Sequence, residues 1–145
     1  MNRARLPVLA GLAFVAACSD LTVQPAVNRI TTPIANPSFR ADIEPILAET
    51  CASANACHSG PNAQKGQRLD PGFAYASLVN VASAFDSSLM RVKPAAPDSS
   101  FFYLVMSEDP ATRRGYYRMP VTERAMPAAV QQTIRNWIVN GAPNN

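Results

Sequence analysis

The chain has 145 residues, with 13 Lys and Arg against 10 Asp and Glu and a formal net charge of +3. Two of the basic residues, Arg3 and Arg5, stand at its very start, and without them eleven basic side chains face ten acidic ones. That balance excludes a nucleic-acid-binding domain, which needs a strong basic excess in clustered Lys and Arg. Without its first eighteen residues the chain keeps roughly 125, enough for one domain with one core.

After the two arginines, residues 6–17 are apolar or small apart from Pro7 and Gly11. Twelve residues are too few to span a bilayer, which takes about 20, and the order of positive, apolar and small segments is that of a secretory signal. The run ends Val15-Ala16-Ala17-Cys18, which looks like the lipobox of a bacterial lipoprotein. Residues 1–18 are therefore expected to be signal and lipobox, with Cys18 lipidated; the alternative is an ordinary cleaved signal. Stable anchoring takes more than one acyl chain, which a lipoprotein cysteine supplies. The expected location is a membrane surface facing the periplasm or the cell exterior. Lipidation also resolves the cysteine arithmetic: three cysteines in an exported chain leave one over, and with Cys18 used, Cys51 and Cys57 remain as a pair.

Residues 19–37 hold Pro25, Pro33 and Pro37 among Thr, Asn and Gln without periodicity, which predicts a flexible tether. The domain is expected over residues 38–145. Ser38 can cap a helix whose Phe39, Ile43, Ile46 and Leu47 share a face, bent at Pro45. That helix leads into CASANACH, residues 51–58, in which His58 is the only histidine of the chain. Cys-x-x-Cys-His is the attachment signature for c-type haem, and here the Cys57-His58 end is kept while the spacer is lengthened from two residues to five. The chemistry asks for two thiols that form thioethers and an imidazole that ligates the iron. Six residue steps cover about 9 Å as helix and about 20 Å extended, so the longer spacer has slack to bulge. A Cys51 to Cys57 disulfide is the alternative, and a zinc site lacks a fourth ligand.

Residues 59–72 read as a loop, 73–81 as a short helix carrying Phe73, Ala76, Leu78 and Val79, and 83–97 as another loop. Asp98 can cap a helix through residue 107, and residues 108–126 are again irregular. Pro127 then opens a helix whose Val130, Ile134, Trp137 and Ile138 form a stripe, with Trp137 in the core and Gly141 at the stop. The sulfur donors outside the signal are Met90, Met106, Met119 and Met126. Met106 and Met126 fall where packing is the expected use. Met119 lies in a loop before Pro120, which restricts its backbone to extended conformations, making it a candidate for the second axial position of a haem iron.

SFRADIEPILAETCASANACHSG, AYASLVN, RVKPAAPDSSFFYLV and RMPVTERAMPAAVQQTIRNWIVNGA resemble, in this order, the blocks of small bacterial cytochrome c domains of the planctomycete type. The resemblance covers residues 38–142. It implies a mainly α, cytochrome c-like bundle of about four short helices around one covalent haem c. It further implies thioethers at Cys51 and Cys57, His58 as proximal ligand and Met119 as distal ligand. The lengthened spacer is the departure from the pattern, and it bears on Cys51.

The nitrogen of His58 not on iron is expected to donate to a carbonyl, with Pro61 and Pro71 as candidates. Arg113, Arg114, Arg118 and Arg124 surround Met119 with Tyr116 and Tyr117 between them; they suit haem propionates or an acidic redox partner, or form a solvated loop. The function expected is a membrane-anchored monohaem cytochrome carrying single electrons between redox partner proteins, with no small-molecule substrate and no enzymatic activity. An open iron site would instead make a sensor or peroxidase-like protein, and a haem-free chain a disulfide-stapled interaction module.

Overall fold

The computed structural model describes residues 25–53, 57–121 and 125–145. The signal, Cys18 and Arg124 lie outside the described residues. Among those described, five short α-helices occur: α1 (Ala26–Arg29), α2 (Glu44–Thr50), α3 (Ala74–Leu78), α4 (Phe101–Leu104) and α5 (Ala128–Val139). β-structure is limited there to isolated bridges pairing Val79 with Val92, Ala82 with Met90 and Met90 with Ser100. The chain is mainly α, with one short helix more than the four expected. No described helix is long and apolar enough to cross a membrane.

Entry into α2 shows how one proline shapes a helix. Ser38 caps as expected, its hydroxyl accepting from the Ala41 N–H at 3.3 Å. Pro45 has no N–H to return to residue 41, and its ring would crowd that carbonyl. The preceding turn, Phe39–Ile43, is widened to π geometry, with the Ile43 N–H on the Ser38 carbonyl at 3.3 Å. Pro45 itself falls in the first turn of α2, where no donor is needed.

The core gathers around Phe39, Ile43, Ile46, Leu47, Leu78, Ile134, Trp137 and Ile138, each at most 1% exposed. Phe39 packs edge-on against Tyr75 and tilted against Trp137, at centroid distances of 5.2 and 5.3 Å. Both polar tips find acceptors just past α5: Trp137 Nε1 donates to the Pro143 carbonyl at 3.0 Å and Tyr75 Oη to the Ala142 carbonyl at 3.0 Å. α5 stops where the glycine predicts. Gly141, at φ +92°, donates to the Ile138 carbonyl and Ala142 to that of Trp137, the paired bonds of a Schellman stop.

Three stretches differ from expectation. Residues 25–37, expected to be flexible tether, lie on the domain: the Ile34 N–H donates to Thr133 Oγ1 at 3.0 Å, and Asn136 and Asn140 donate to the carbonyls of Ile34 and Ala35 at 2.8 and 3.0 Å. Ala26 and Pro37 are buried. Main-chain polar groups supply this attachment, so side-chain periodicity does not reveal it. The helix expected over 73–81 ends at Leu78, and Phe73 is 50% exposed with the Arg68 guanidinium 3.4 Å above its ring. The helix expected from Asp98 starts after Ser100, whose buried hydroxyl accepts from the Lys93 N–H at 2.9 Å and donates to the Ala96 carbonyl at 2.9 Å. Those bonds hold Pro97–Ser99 as a separate tight turn.

Candidate functional site

α2 ends at Cys51, whose N–H still donates to the Leu47 carbonyl at 2.9 Å. Cys51 is half-buried against the core, with Thr50 Oγ1 at 3.3 Å from its sulfur. Burial pushes its thiol pKa up, and the Thr50 contact opposes that rise. Cys57 is exposed, and both cysteines are free thiols. The two ends of CASANACH are joined directly, because the His58 N–H donates to the Cys51 carbonyl at 3.2 Å. The five-residue spacer thus leaves Cys51 and the Cys57-His58 pair in one hydrogen-bonded unit.

His58 is fixed from three sides. Besides its N–H, its carbonyl accepts from Leu69 N–H at 2.8 Å, and its Nδ1 lies 3.1 Å from the Gln67 carbonyl oxygen. A carbonyl only accepts, so Nδ1 carries the proton and the neutral ring keeps its lone pair on Nε2. The imidazole pKa lies below its ordinary value, chiefly through burial and also through the positive charge of Arg91; the carbonyls of Gln67 and Gln64 oppose that fall. The acceptor is thus Gln67, not Pro61 or Pro71 as expected. The tight turn Gln64–Gly66 brings it there: Lys65 and Gly66, at φ +55° and +61°, reverse the chain, and a glycine takes that conformation at no steric cost.

Sequence reasoning missed the residue that holds this turn. Arg91 is 6% exposed, and its Nη1 donates to the carbonyls of Ser77 and Gly66 at 2.8 and 3.2 Å and to Ser77 Oγ at 3.2 Å. Its Nη2 donates to the Lys65 carbonyl at 2.8 Å. The one local hint is that Leu89, Met90 and Val92 surround it, an apolar run inside a segment that otherwise reads as loop.

Met119 belongs to a second unit. Its N–H donates to the Val105 carbonyl at 2.7 Å, just past α4, and its peptide bond to Pro120 is cis. Its side chain is 37% exposed, between Tyr117 at 82% and Val121 at 77%. Met106 and Met126 are buried in the core, as their positions suggest. The arginines near Met119 have local acceptors. Arg113 donates to the carbonyls of Ser107, Glu108 and Tyr116, Arg114 to that of Asp98, and Arg118 pairs with Glu108 at 2.6 Å.

The fit of these groups to a haem can be judged donor by donor. A neutral imidazole with its proton engaged and its other nitrogen holding a lone pair suits an iron ligand. Cys51, joined to His58 by one backbone bond, and Cys57, next to it in the chain, are unpaired thiols, and exposed apolar side chains stand on the Met119 loop. As chemical groups these are donors that a haem would take. Two surface concavities of about 250 and 370 Å³ are lined by neither the cysteines nor His58 nor Met119. Cys51 and Cys57 are not joined by a disulfide, and among the described residues no three His, Cys, Asp or Glu side chains converge. Comparison with protein-family models, curated proteins and solved structures finds no match.

Proposed function

We propose that this chain is a membrane-anchored, monohaem c-type cytochrome that carries single electrons outside the cytoplasm. The observation that carries the reading is His58: its Nδ1–H on the Gln67 carbonyl at 3.1 Å leaves Nε2 as a lone-pair donor. Cys51 and Cys57 precede it along the chain in the order the attachment signature requires, both as free thiols. In this reading Cys51 and Cys57 would hold the haem by thioethers, and His58 and Met119 would be the ligands of its iron. When bound, the group supplies a one-electron couple at iron, and His/Met ligation raises its potential.

The protein's own residues do the rest. Gln67 fixes the orientation of the imidazole, Leu69 pins the loop that carries it, and the Val105 carbonyl anchors the methionine loop. Tyr117 and Val121, both exposed near Met119, offer apolar surface that a haem would cover. Iron held by both His58 and Met119 would have no site open to a substrate, which favours a carrier over an enzyme. Lipidation at Cys18 would hold the carrier at the membrane, where its redox partner proteins meet it.

The test is the visible spectrum of protein purified from cells that mature c-type cytochromes, followed by denaturing electrophoresis. Reduced and oxidised spectra of a low-spin haem that stays with the polypeptide are expected. Colourless protein with a Cys51 to Cys57 disulfide would overturn the reading.

A further inference from the structure

We propose that Arg91 is a positioning residue for His58: its guanidinium, acting through the carbonyls of Lys65 and Gly66 and through Ser77, holds the Gln67 carbonyl against the imidazole Nδ1–H. Gln67 is braced on both sides. Before it, Nη2 and Nη1 grip Lys65 O and Gly66 O at 2.8 and 3.2 Å. After it, the Arg68 N–H donates to Ser77 Oγ at 2.9 Å, and the same hydroxyl accepts from Arg91 Nη1 at 3.2 Å. One planar fork therefore fixes the residues flanking the carbonyl that orients the ring.

The clamp is itself rigidly mounted. The Arg91 N–H donates to the Val81 carbonyl at 2.7 Å, and the Arg91 carbonyl accepts from Phe102 N–H at 2.9 Å, so its backbone is tied between the end of α3 and the start of α4. Its neighbour Val92 is fully buried. A buried charge is costly unless its donors are satisfied, and this guanidinium is satisfied by the turn carbonyls and Ser77. Lysine offers a point charge without the fork, so it cannot grip residues 65, 66 and 77 together. The hold on the imidazole follows from these contacts alone; its consequence for an iron ligand rests on the haem reading.

The two are judged by separate readouts on the full-length protein as purified. Covalent colour judges the haem reading. Exchange of the His58 Nδ1 proton with solvent judges Arg91, followed by nitrogen-edited NMR in the diamagnetic reduced state, or in the colourless protein at about pH 8, well above the ordinary histidine pKa of roughly 6.5. His58 is the only histidine, so the spectrum holds one imidazole. Arg91→Gln is expected to speed exchange at least roughly fivefold, the ratio set by one hydrogen bond of about 1 kcal/mol. Arg91→Lys should fall between, and Ser77→Ala should also speed exchange. Asn136→Ala, which removes one of the two bonds from Ile34 to α5, should lower overall stability without changing the exchange. Wild-type exchange in Arg91→Gln overturns the assignment, as does exchange speeded equally by Asn136→Ala. Where Arg91→Gln does not fold, Ser77→Ala decides, and unchanged exchange there overturns it.

Discussion

Cys51 and Cys57 carry the same chemical group in different surroundings. Cys51 is half-buried at the end of α2 with a raised pKa, whereas Cys57 is exposed and adjacent to His58. If the long spacer prevents the Cys51 thioether, Cys57→Ala is expected to abolish covalent haem while Cys51→Ala keeps it; heme-stained denaturing gels compare the two. Equal loss in both variants would mean that Cys51 is bonded as tightly as Cys57. Under the proposed function, Met119→Ala should remove the methionine-to-iron charge-transfer band. A surviving band would move the ligand to another methionine. The pairing of Cys57 with His58 was legible because it is a matter of spacing along the chain. Arg91 and the Gln67 carbonyl were not, since an arginine in a loop reads as solvated until distant carbonyls are known to converge on it.

The elements repeat this contrast between local and distant determinants. α5 follows from its apolar stripe and Gly141, both encoded within fifteen residues. The π turn before α2 depends on Pro45 alone, and the proline was visible though the form of the bend was not. The loop bearing Met119 is irregular in sequence, yet Tyr116 ties it to residue 86 by donating its hydroxyl to the Asp86 carboxylate. The Tyr116 ring lies edge-on to Phe101 and Phe85, at 5.0 and 5.9 Å. Asp86 titrates below its usual range because Ser88 and Tyr116 bond its charged form, and Tyr116 titrates above its own chiefly through Asp86. A depressed carboxylate pKa contributes stability that is present above the unfolded value of 3.8 and is lost as pH falls through the folded value. The raised tyrosine pKa works at the other end: its contribution is full below 10.0 and is lost as pH rises through the folded value. Tyr116→Phe should therefore melt with a shallower decline on both limbs than wild type, as read by thermal melts across pH. Parallel limbs would show that the bond adds nothing to this loop.

At the scale of the whole molecule, the two chain segments flanking the helices close the structure on itself. The backbone N–H of Arg40 and the hydroxyl of Ser38 donate to the Asn145 main-chain oxygen at 2.9 and 2.8 Å, and the Phe39 N–H donates to Asn145 Oδ1 at 2.9 Å. Donors left open at a helix entrance are thus satisfied from the far end of the sequence. Residues 25–37 lie along α5 in the same way. If Cys18 carries lipid, only residues 19–24 separate it from the described domain, and the seven residue steps to Pro25 reach at most about 25 Å. The domain would then stand close to the membrane surface. The packing of residues 25–37 can be tested apart from any haem. A chain shortened to begin at Ser38 loses the bonds of Ile34 to Thr133 and Asn136, that of Asn140 to Ala35, and the burial of Ala26 and Pro37. At about 1 kcal/mol per bond plus the lost apolar burial, it should be about 2–4 kcal/mol less stable in urea. Thr133→Val, which strands the Ile34 N–H, should reproduce part of that loss, about 1–3 kcal/mol. An unchanged urea midpoint in the shortened chain would return residues 25–37 to the role of a tether and lengthen the reach of the domain from the bilayer.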